Sequence, residues 1–146
     1  MMIKAISLPS KSLATPEDIN KLRRILKNRE CETDLRRRID GKIASYLSQD
    51  KRRRPALPAA SIPRDKLIAK LIDSNMTCYY CKCNLSYGGL NRYDKNQWSL
   101  DRIDNSKNHQ LTNCIIACLG CNLRRGRMPM DIHSQWREVK VIKKTD

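Results

Sequence analysis

The stretch that decides the fold runs from position 78 to position 122 and reads CYYCKCNLSYGGLNRYDKNQWSLDRIDNSKNHQLTNCIIACLGCN. A Cys-x-x-Cys pair stands at each end, Cys78 with Cys81 and Cys118 with Cys121. Two intervening residues let both thiolates of a pair reach one metal ion, and two such pairs complete a tetrahedral zinc site. The sequence therefore predicts a structural Zn²⁺ that closes this stretch into a loop.

The remaining cysteines bear on the ligand set and on the compartment. The chain has seven cysteines in all, an odd number. Disulfide frameworks favour even counts in secreted chains, whereas Cys-x-x-Cys pairs without an export signal favour a metal site in a reducing compartment. Cys83 is an alternative ligand, Cys114 is expected to pack in a strand, and Cys31 lies outside the stretch. Zinc with four thiolates has no open position, so the ion is expected to hold the fold and to do no chemistry.

Composition gives a reason for such a metal. The 146 residues are about one domain's worth of chain, 40% of them are hydrophobic, and none is phenylalanine. A core built from so little apolar material is small, and small domains commonly depend on a metal or on disulfides. The zinc is therefore expected to supply part of the folding free energy.

Charge points to the class of partner. Lys and Arg total 30 against 15 Asp and Glu, which leaves a net charge of +15. A balance this basic predicts a polyanionic partner, and nucleic acid is the first candidate. An anionic membrane would attract the same charge, but no run approaches the roughly 18 apolar residues needed to span a bilayer. The N-terminal Met1–Pro9 is a poor secretory signal, so an intracellular, reducing location, in cytoplasm or nucleus, is expected.

Two basic amphipathic helices are predicted before the cysteine stretch. Thr15 and Pro16 form a strong helix start, with Asp18 at the position of a capping-box acid. Thr33 and Asp34 can begin a second helix. In both segments apolar side chains recur at helical spacing, and Lys and Arg fill the positions between them. Residues 1–54 are therefore interpreted as a basic helical arm.

The arm ends in a run of four cations that reads KRRR at positions 51–54. Adjacent cations repel one another unless phosphate or solvent screens them. Arg52, Arg53 and Arg54 are therefore expected to contact nucleic acid, or to act as a nuclear-localisation-like patch, rather than to form a structural element.

A proline-rich segment follows the arm. Residues 55–64 contain three prolines, which predict an extended linker. A short helix from Asp65 to Ser74 is expected next, and it leads into a compact module over residues 65–146.

The segment between the cysteine pairs resembles the HNH endonuclease family. The residues that carry the resemblance are Asp101 in a predicted strand, Asn113 ahead of a second apolar run, and Asn122 directly after the second cysteine pair. It covers residues 78–130. In that family two strands and a helix form the ββα-metal fold. The resemblance implies an α+β chain, with a basic helical N-terminal arm followed by a small zinc-stapled ββα-metal (HNH) module.

The resemblance also implies roles for these residues. The family hydrolyses phosphodiester bonds with one divalent cation held between the strands and the helix. By position, Asp101 and Asn122 are the implied ligands of a catalytic Mg²⁺ or Mn²⁺, since hard oxygen atoms suit such ions. Asn113 matches the residue that orients the general base.

One position departs from the family pattern. Arg102 stands where the general-base histidine would follow the acid. Arginine stays protonated, so it is suited to bind phosphate or to stabilise developing negative charge rather than to accept a proton. His109 is the nearest titratable candidate for the base; the alternative is a loop histidine that contacts phosphate or backbone. His133, past the motif, is expected to be structural.

Three further cations follow Asn122 on the predicted helix: Arg124, Arg125 and Arg127. They are expected to contact the phosphates that flank the cut.

Two functions fit this pattern. The first is an HNH-type endonuclease or nickase that hydrolyses DNA with a single divalent metal. The second is a catalytically weak or inactive HNH-fold nucleic-acid-binding protein, such as a structural component of a nucleoprotein particle. DNA is preferred over RNA as the partner, no membrane is expected, and the oligomeric state stays open. A phage, viral or mobile-element origin follows from the family only by analogy.

Overall fold

The computed structural model describes residues 15–28, 30, 32–88 and 91–138. Within these residues the fold is α+β, as predicted. Its elements in chain order are α1 (Pro16–Lys27), α2 (Thr33–Arg53), α3 (Arg64–Asp73), β1 (Trp98–Arg102), a 3₁₀ turn (Leu111–Asn113), β2 (Cys114–Cys118), α4 (Leu119–Arg125) and α5 (Met130–Glu138). The predictions about Cys31 and about the first nine residues fall outside the described residues.

Helix α1 begins where the sequence predicted. The Thr15 hydroxyl accepts a hydrogen bond from the backbone N–H of Asp18 at 3.3 Å, and the Asp18 carboxylate accepts one from the backbone N–H of Thr15 at 2.9 Å. This capping box satisfies amide donors that the start of a helix would otherwise leave unpaired. Leu22 and Ile25 are buried on the inner face of the helix.

Helix α2 includes most of the basic run at its C-terminus. Lys51, Arg52 and Arg53 form its last turn, and the backbone N–H of Arg54 donates to the carbonyl of Asp50 at 2.8 Å. The expectation that the run is not a structural element is therefore wrong. Cations are favourable at a helix C-terminus because the helix dipole is negative there. Arg52 and Arg53 are nevertheless exposed, so their charges still face solvent.

The segment between α2 and α3 begins with a turn, in which the backbone N–H of Leu57 donates to the carbonyl of Arg54 at 3.0 Å, so it is not extended throughout as the prolines predicted. Residues 55–63 are neither helix nor strand, and α3 begins at Arg64, one residue before the predicted start. The segment does not separate two cores, because Leu22 of α1, Ile39 of α2 and Leu71 of α3 are buried in the same apolar cluster as the strand side chains. The division into arm, linker and module as separate units stays a prediction.

The two strands and α4 form a compact ββα unit. Strands β1 and β2 pair antiparallel with Trp98 opposite Cys118, and α4 follows β2 without a connecting residue. Cys118 is the N-cap of α4, and its sulfur accepts a hydrogen bond from the backbone N–H of Cys121 at 3.3 Å. Because α4 packs back on both strands, Asp101 in β1 lies beside this helix. The strand–strand–helix order predicted for this part of the chain is present.

Helix α2 packs along β1, and its side chains form hydrogen bonds with the backbone of the strand. The Tyr46 hydroxyl accepts a hydrogen bond from the backbone N–H of Leu100 at 3.0 Å. The Lys42 ammonium donates to the carbonyl of Trp98 and lies 4.4 Å from the centre of that ring. Helix α2, which belongs to the predicted arm, is therefore part of the wall around the ββα unit. No helix in the described ranges is both long enough and apolar enough to cross a membrane.

Candidate functional site: a four-cysteine cluster and a basic cleft

The four cysteines of the two Cys-x-x-Cys pairs converge on one point. Cys78 and Cys81 lie in a tight turn before the sheet, and Cys118 and Cys121 lie at the junction of β2 and α4. Their four sulfur atoms are all within 4.8 Å of one another, and the Cys81 and Cys118 sulfurs are 3.9 Å apart. Zn–S bonds of about 2.3 Å in a tetrahedron place sulfurs about 3.8 Å apart. The cluster therefore fits a metal ion such as zinc.

Two cations lie against this cluster. The Arg137 and Arg124 guanidiniums are 3.1 Å and 3.5 Å from the Cys121 sulfur. Four thiolates around a divalent ion carry a net charge of −2, which two guanidiniums offset. Both guanidiniums reach the Cys121 sulfur, so they would stabilise this thiolate in a metal-bound cluster. Arg124, predicted to contact DNA, thus has a second partner at the metal cluster.

The other two described cysteines stay outside the cluster. Cys83 is buried and is not among the four sulfurs that come together, so the cluster does not use it as a ligand. Cys114 is buried at the start of β2, where a strand residue was predicted. Burial raises the pKa of the Cys114 thiol to about 12, so it remains protonated near neutral pH.

A cleft of about 1010 Å³, the basic cleft, opens between α2, β1 and α4. Its cationic lining consists of Lys42, Arg53, Arg54, Arg92, Arg102 and Arg127. Asp101 is the one carboxylate among its lining residues. This concentration of one charge makes the cleft strongly attractive to a polyanion. The predicted site residues Asp101, Arg102, His109 and Asn122 line this one cleft, although β1, a loop and α4 carry them.

His109 is held by a buried carboxylate from α2. The Asp50 carboxylate accepts hydrogen bonds from the backbone N–H of His109 at 2.7 Å and from its ring Nδ1 at 2.8 Å. Because a carboxylate only accepts, the ring proton is assigned to Nδ1. The Tyr46 ring lies 4.7 Å from the imidazole. Burial lowers the pKa of His109, and the Asp50 carboxylate offsets part of that shift, so a neutral ring is expected at pH 7.

Asp101 is engaged on both of its oxygens. One accepts a hydrogen bond from the Arg125 guanidinium at 2.6 Å and the other from the Tyr80 hydroxyl at 2.8 Å. The residue as a whole is 3% exposed, and burial raises the pKa of its carboxyl group while Tyr80 and Arg125 oppose the rise. The pair ties α4 to β1 through a charge-assisted hydrogen bond.

Arg125 is an internal cation rather than a surface one. It is 2% exposed, and its guanidinium also donates to the carbonyls of Arg102, Ile103 and Met128 at 2.5, 3.2 and 2.8 Å. This corrects the expectation that Arg125 contacts phosphate, because its donors are directed to groups inside the protein. Arg127, two residues later, is exposed and lines the basic cleft.

The side-chain amides of the two motif asparagines form hydrogen bonds within the protein. The Asn122 amide nitrogen donates to the Ser99 hydroxyl at 3.1 Å and to the Leu100 carbonyl at 3.2 Å, which fastens α4 to β1. The Asn113 amide donates to the carbonyls of Asp104 and Asn108, each at 3.1 Å, and accepts from the backbone N–H of Asp104 at 3.0 Å. Asn113 therefore fixes the loop that carries His109, and no described hydrogen bond joins it to the ring.

The oxygen donors of Asp101 and Asn122 do not fit Mg²⁺ or Mn²⁺ as they stand. Both Asp101 oxygens have hydrogen-bond donors, and one of these donors is the cation Arg125. A divalent ion would add two positive charges to a region with one carboxylate and many guanidiniums. The ligand roles predicted for the two residues would require Asp101 to exchange Arg125 for the ion.

Two arginines of the basic cleft converge on one carbonyl oxygen. Arg54 of α2 and Arg102 of β1 donate to the carbonyl of Asn105 at 3.0 Å and 3.1 Å. Arg102 also donates to the carbonyl of Lys107 at 3.2 Å. Two guanidiniums this close repel each other, and a bound phosphate would relieve that repulsion.

Sequence reasoning missed Asp50, Tyr46 and Tyr80. Asp50 is the acidic residue next to the basic run, but nothing in the sequence places it opposite a histidine 59 positions later. Tyr80 lies between the first two cysteines, and its hydrogen bond to Asp101, 21 positions later, depends on how that turn packs against β1. His133 is buried in α5 with its ring edge-on to Tyr80 at 4.7 Å, a packing position.

Comparison of the chain with protein-family models, with curated proteins and with solved structures finds no match.

Proposed function

We propose that this chain is an HNH-type endonuclease or nickase that hydrolyses phosphodiester bonds in DNA. The observation that carries the proposal is the meeting of four predicted site residues in the basic cleft. Asp101, Arg102 and Asn122 were selected from the sequence by their place in the motif, and His109 was selected as the nearest titratable side chain. Their convergence on one cation-rich cavity supports a shared role, although Asn113, the fifth predicted residue, is not among the lining residues.

The cleft suits the sugar–phosphate backbone of DNA. Arg53, Arg54, Arg102 and Arg127 offer guanidinium groups, which bind phosphate oxygens in pairs. Such contacts position the strand without reading its sequence. The choice of DNA over RNA rests on the HNH resemblance.

His109 is the proposed general base. Its Nδ1–H is committed to Asp50, which leaves the lone pair of Nε2 to accept a proton from a water molecule. The water oxygen would attack phosphorus, the ester P–O bond would break, and the departing oxygen would take a proton from solvent. Arg102 and Arg54 line the same cleft, and we propose that they exchange their bonds to the Asn105 carbonyl for the phosphate and stabilise its negative charge during this step.

The metal requirement is a separate part of the proposal. The HNH resemblance implies Mg²⁺ or Mn²⁺, whereas the present arrangement of Asp101, Arg125 and Asn122 does not fit a divalent ion. No reaction step is therefore assigned to one. The four-cysteine Zn²⁺ is proposed to be structural in either case.

The deciding experiment is nicking of supercoiled plasmid by the purified, zinc-loaded chain. Reactions would contain Mg²⁺, Mn²⁺ or neither ion, and His109→Ala would be run beside the wild type. Loss of the base is expected to lower the rate by about 10²- to 10⁴-fold while DNA binding is retained. Equal rates for the two proteins would remove His109 from the mechanism.

A second candidate is a nucleic-acid-binding protein that does not cleave. The observation that favours it is the occupation of both Asp101 oxygens by Arg125 and Tyr80. If this pair persists when DNA is bound, the described lining of the basic cleft has no free carboxylate for a catalytic metal. Tight, salt-dependent DNA binding with no nicking under any metal condition would establish this candidate over the nuclease.

A further inference from the structure

The environment of Asp50 is unusual for a carboxylate in a basic helix. It is 2% exposed, although it lies one residue before a run of four cations. It accepts three hydrogen bonds: from the backbone N–H of His109, from the ring Nδ1 of His109, and from the Arg54 guanidinium at 3.2 Å. A buried carboxylate is costly unless donors surround it in this way.

We infer that Asp50 is the positioning residue for His109, so that helix α2 completes the hydrolytic site. The inference deepens the proposed function and rests on it for the role of His109. Asp50 itself does not reach the substrate side of the ring. It acts by fixing which ring nitrogen carries the proton and where the other nitrogen points.

Asp50 makes more hydrogen bonds to His109 than anchoring of the loop requires. The loop from Asp104 to Asn113 is already tied by the Asn113 amide, and Asn108 donates to the carbonyl of Pro58 at 2.9 Å. One Asp50 oxygen accepts from the backbone of His109, which would suffice for a further anchor. The other oxygen accepts a hydrogen bond from the ring Nδ1. This bond fixes the orientation of the imidazole rather than the position of the loop.

The charges around His109 oppose each other. Arg53 and Arg54 of α2 disfavour a protonated ring, Asp50 favours it, and Tyr46 covers one face. Arg102 lines the same cleft from β1. When water gives its proton to Nε2, the ring becomes an imidazolium with Asp50 still ionised. The carboxylate then stabilises the positive charge that the arginines would otherwise destabilise.

The test uses the full-length, zinc-loaded protein labelled with ¹⁵N. Long-range ¹H–¹⁵N correlation spectra at pH 7.5 report which nitrogen of His109 carries the proton, and a titration gives its pKa. The wild-type ring is expected to carry its proton on Nδ1. In Asp50→Asn the pKa of His109 should fall, because the neighbouring negative charge is gone.

Nicking assays give the second readout. Asp50→Asn is expected to lower the rate by about 10²- to 10⁴-fold with little change in DNA affinity. The matched control is Asp40→Asn, which neutralises another α2 carboxylate, one paired with Arg64 at 2.5 Å outside the basic cleft. The control is expected to nick at the wild-type rate and to leave the His109 spectrum unchanged.

Two results would overturn the inference. One is a wild-type ring with its neutral proton on Nε2, which remains decisive even if Asp50→Asn fails to fold. The other is a folded Asp50→Asn protein with wild-type nicking and an unshifted pKa of His109. Failure of the wild type to nick any DNA rejects the endonuclease instead, while the ring tautomer still decides whether Asp50 positions His109.

Discussion

At the scale of single residues, the buried pair of Asp101 and Arg125 makes the strongest prediction about stability. Both side chains are almost completely buried, at 4% and 0% exposed. Arg125→Met would leave an unpaired carboxylate in the interior, and breaking a buried ion pair in this way costs about 3–5 kcal/mol. Denaturant titration with zinc present measures the loss. Arg127→Met, at an exposed position two residues later, is the control, and equal stability of the two variants would contradict the ion pair.

A second prediction at this scale concerns pH. Burial lowers the pKa of His109 in the folded chain, so the unfolded chain binds more protons in the interval between the folded pKa and about 6.5. The stability contribution of a neutral His109 is therefore complete above that interval and is lost as the pH falls through it. The free energy of unfolding of the zinc-loaded protein should decrease from pH 8 to pH 5.5. His109→Gln should flatten the curve, and an unchanged wild-type curve would count against a buried neutral ring.

Residue types and spacing indicated part of the site. The four cysteines could be assigned to one metal site because the spacing within each pair is local, with two residues between its cysteines. His109 could be selected because it is one of two histidines in the chain. Asp50 could not, because its contact with His109 depends on how a distant helix packs. The same reason explains Arg125, whose neighbours in sequence are exposed while it points inward.

At the scale of elements, the sequence predicted features that depend on local signals but not features that depend on long-range packing. The start of α1 followed from Thr15 and Asp18, whose bonds lie within one helical turn. The position of α2 along β1 did not, since it depends on Tyr46 and Lys42 reaching backbone groups of the strand more than 50 positions away. Helix α2, which the sequence analysis assigned to the basic arm, forms part of the cleft wall. Removing residues 1–54 would therefore remove part of the apolar core as well as 15 of the 30 basic side chains.

Charge changes on α2 test its role without removing it. Arg53 is exposed and lines the basic cleft, whereas Arg37 is exposed on the same helix and is not among the cleft residues. Arg53→Gln should weaken DNA binding and reduce the slope of log affinity against log salt by about 1, the effect of one lost phosphate contact. Arg37→Gln should leave the slope unchanged. Fluorescence anisotropy across a salt series measures both, and equal slopes for the two variants would show that DNA does not enter the cleft along α2.

At the scale of the whole molecule, the stability of the fold depends on the metal and on the apolar core together. The described core is one apolar cluster that includes three of the four clustered cysteines. Zinc binding at such sites contributes roughly 10–16 kcal/mol, as much as the entire net stability of many domains at about 5–15 kcal/mol. The metal is therefore expected to decide whether the chain folds, and the loss of any one ligand should have a global effect.

This gives a prediction with internal controls. Cys118→Ser removes a ligand at the junction of β2 and α4, so the protein should bind no zinc and should lose its cooperative unfolding transition. Cys83→Ser and Cys114→Ser change cysteines outside the cluster and should retain one zinc per chain. Metal analysis after gel filtration, together with circular dichroism melts, separates these outcomes. A folded, zinc-free Cys118→Ser protein would show that the apolar core suffices, and the cysteine cluster would then need another explanation, such as a redox-sensitive thiol group.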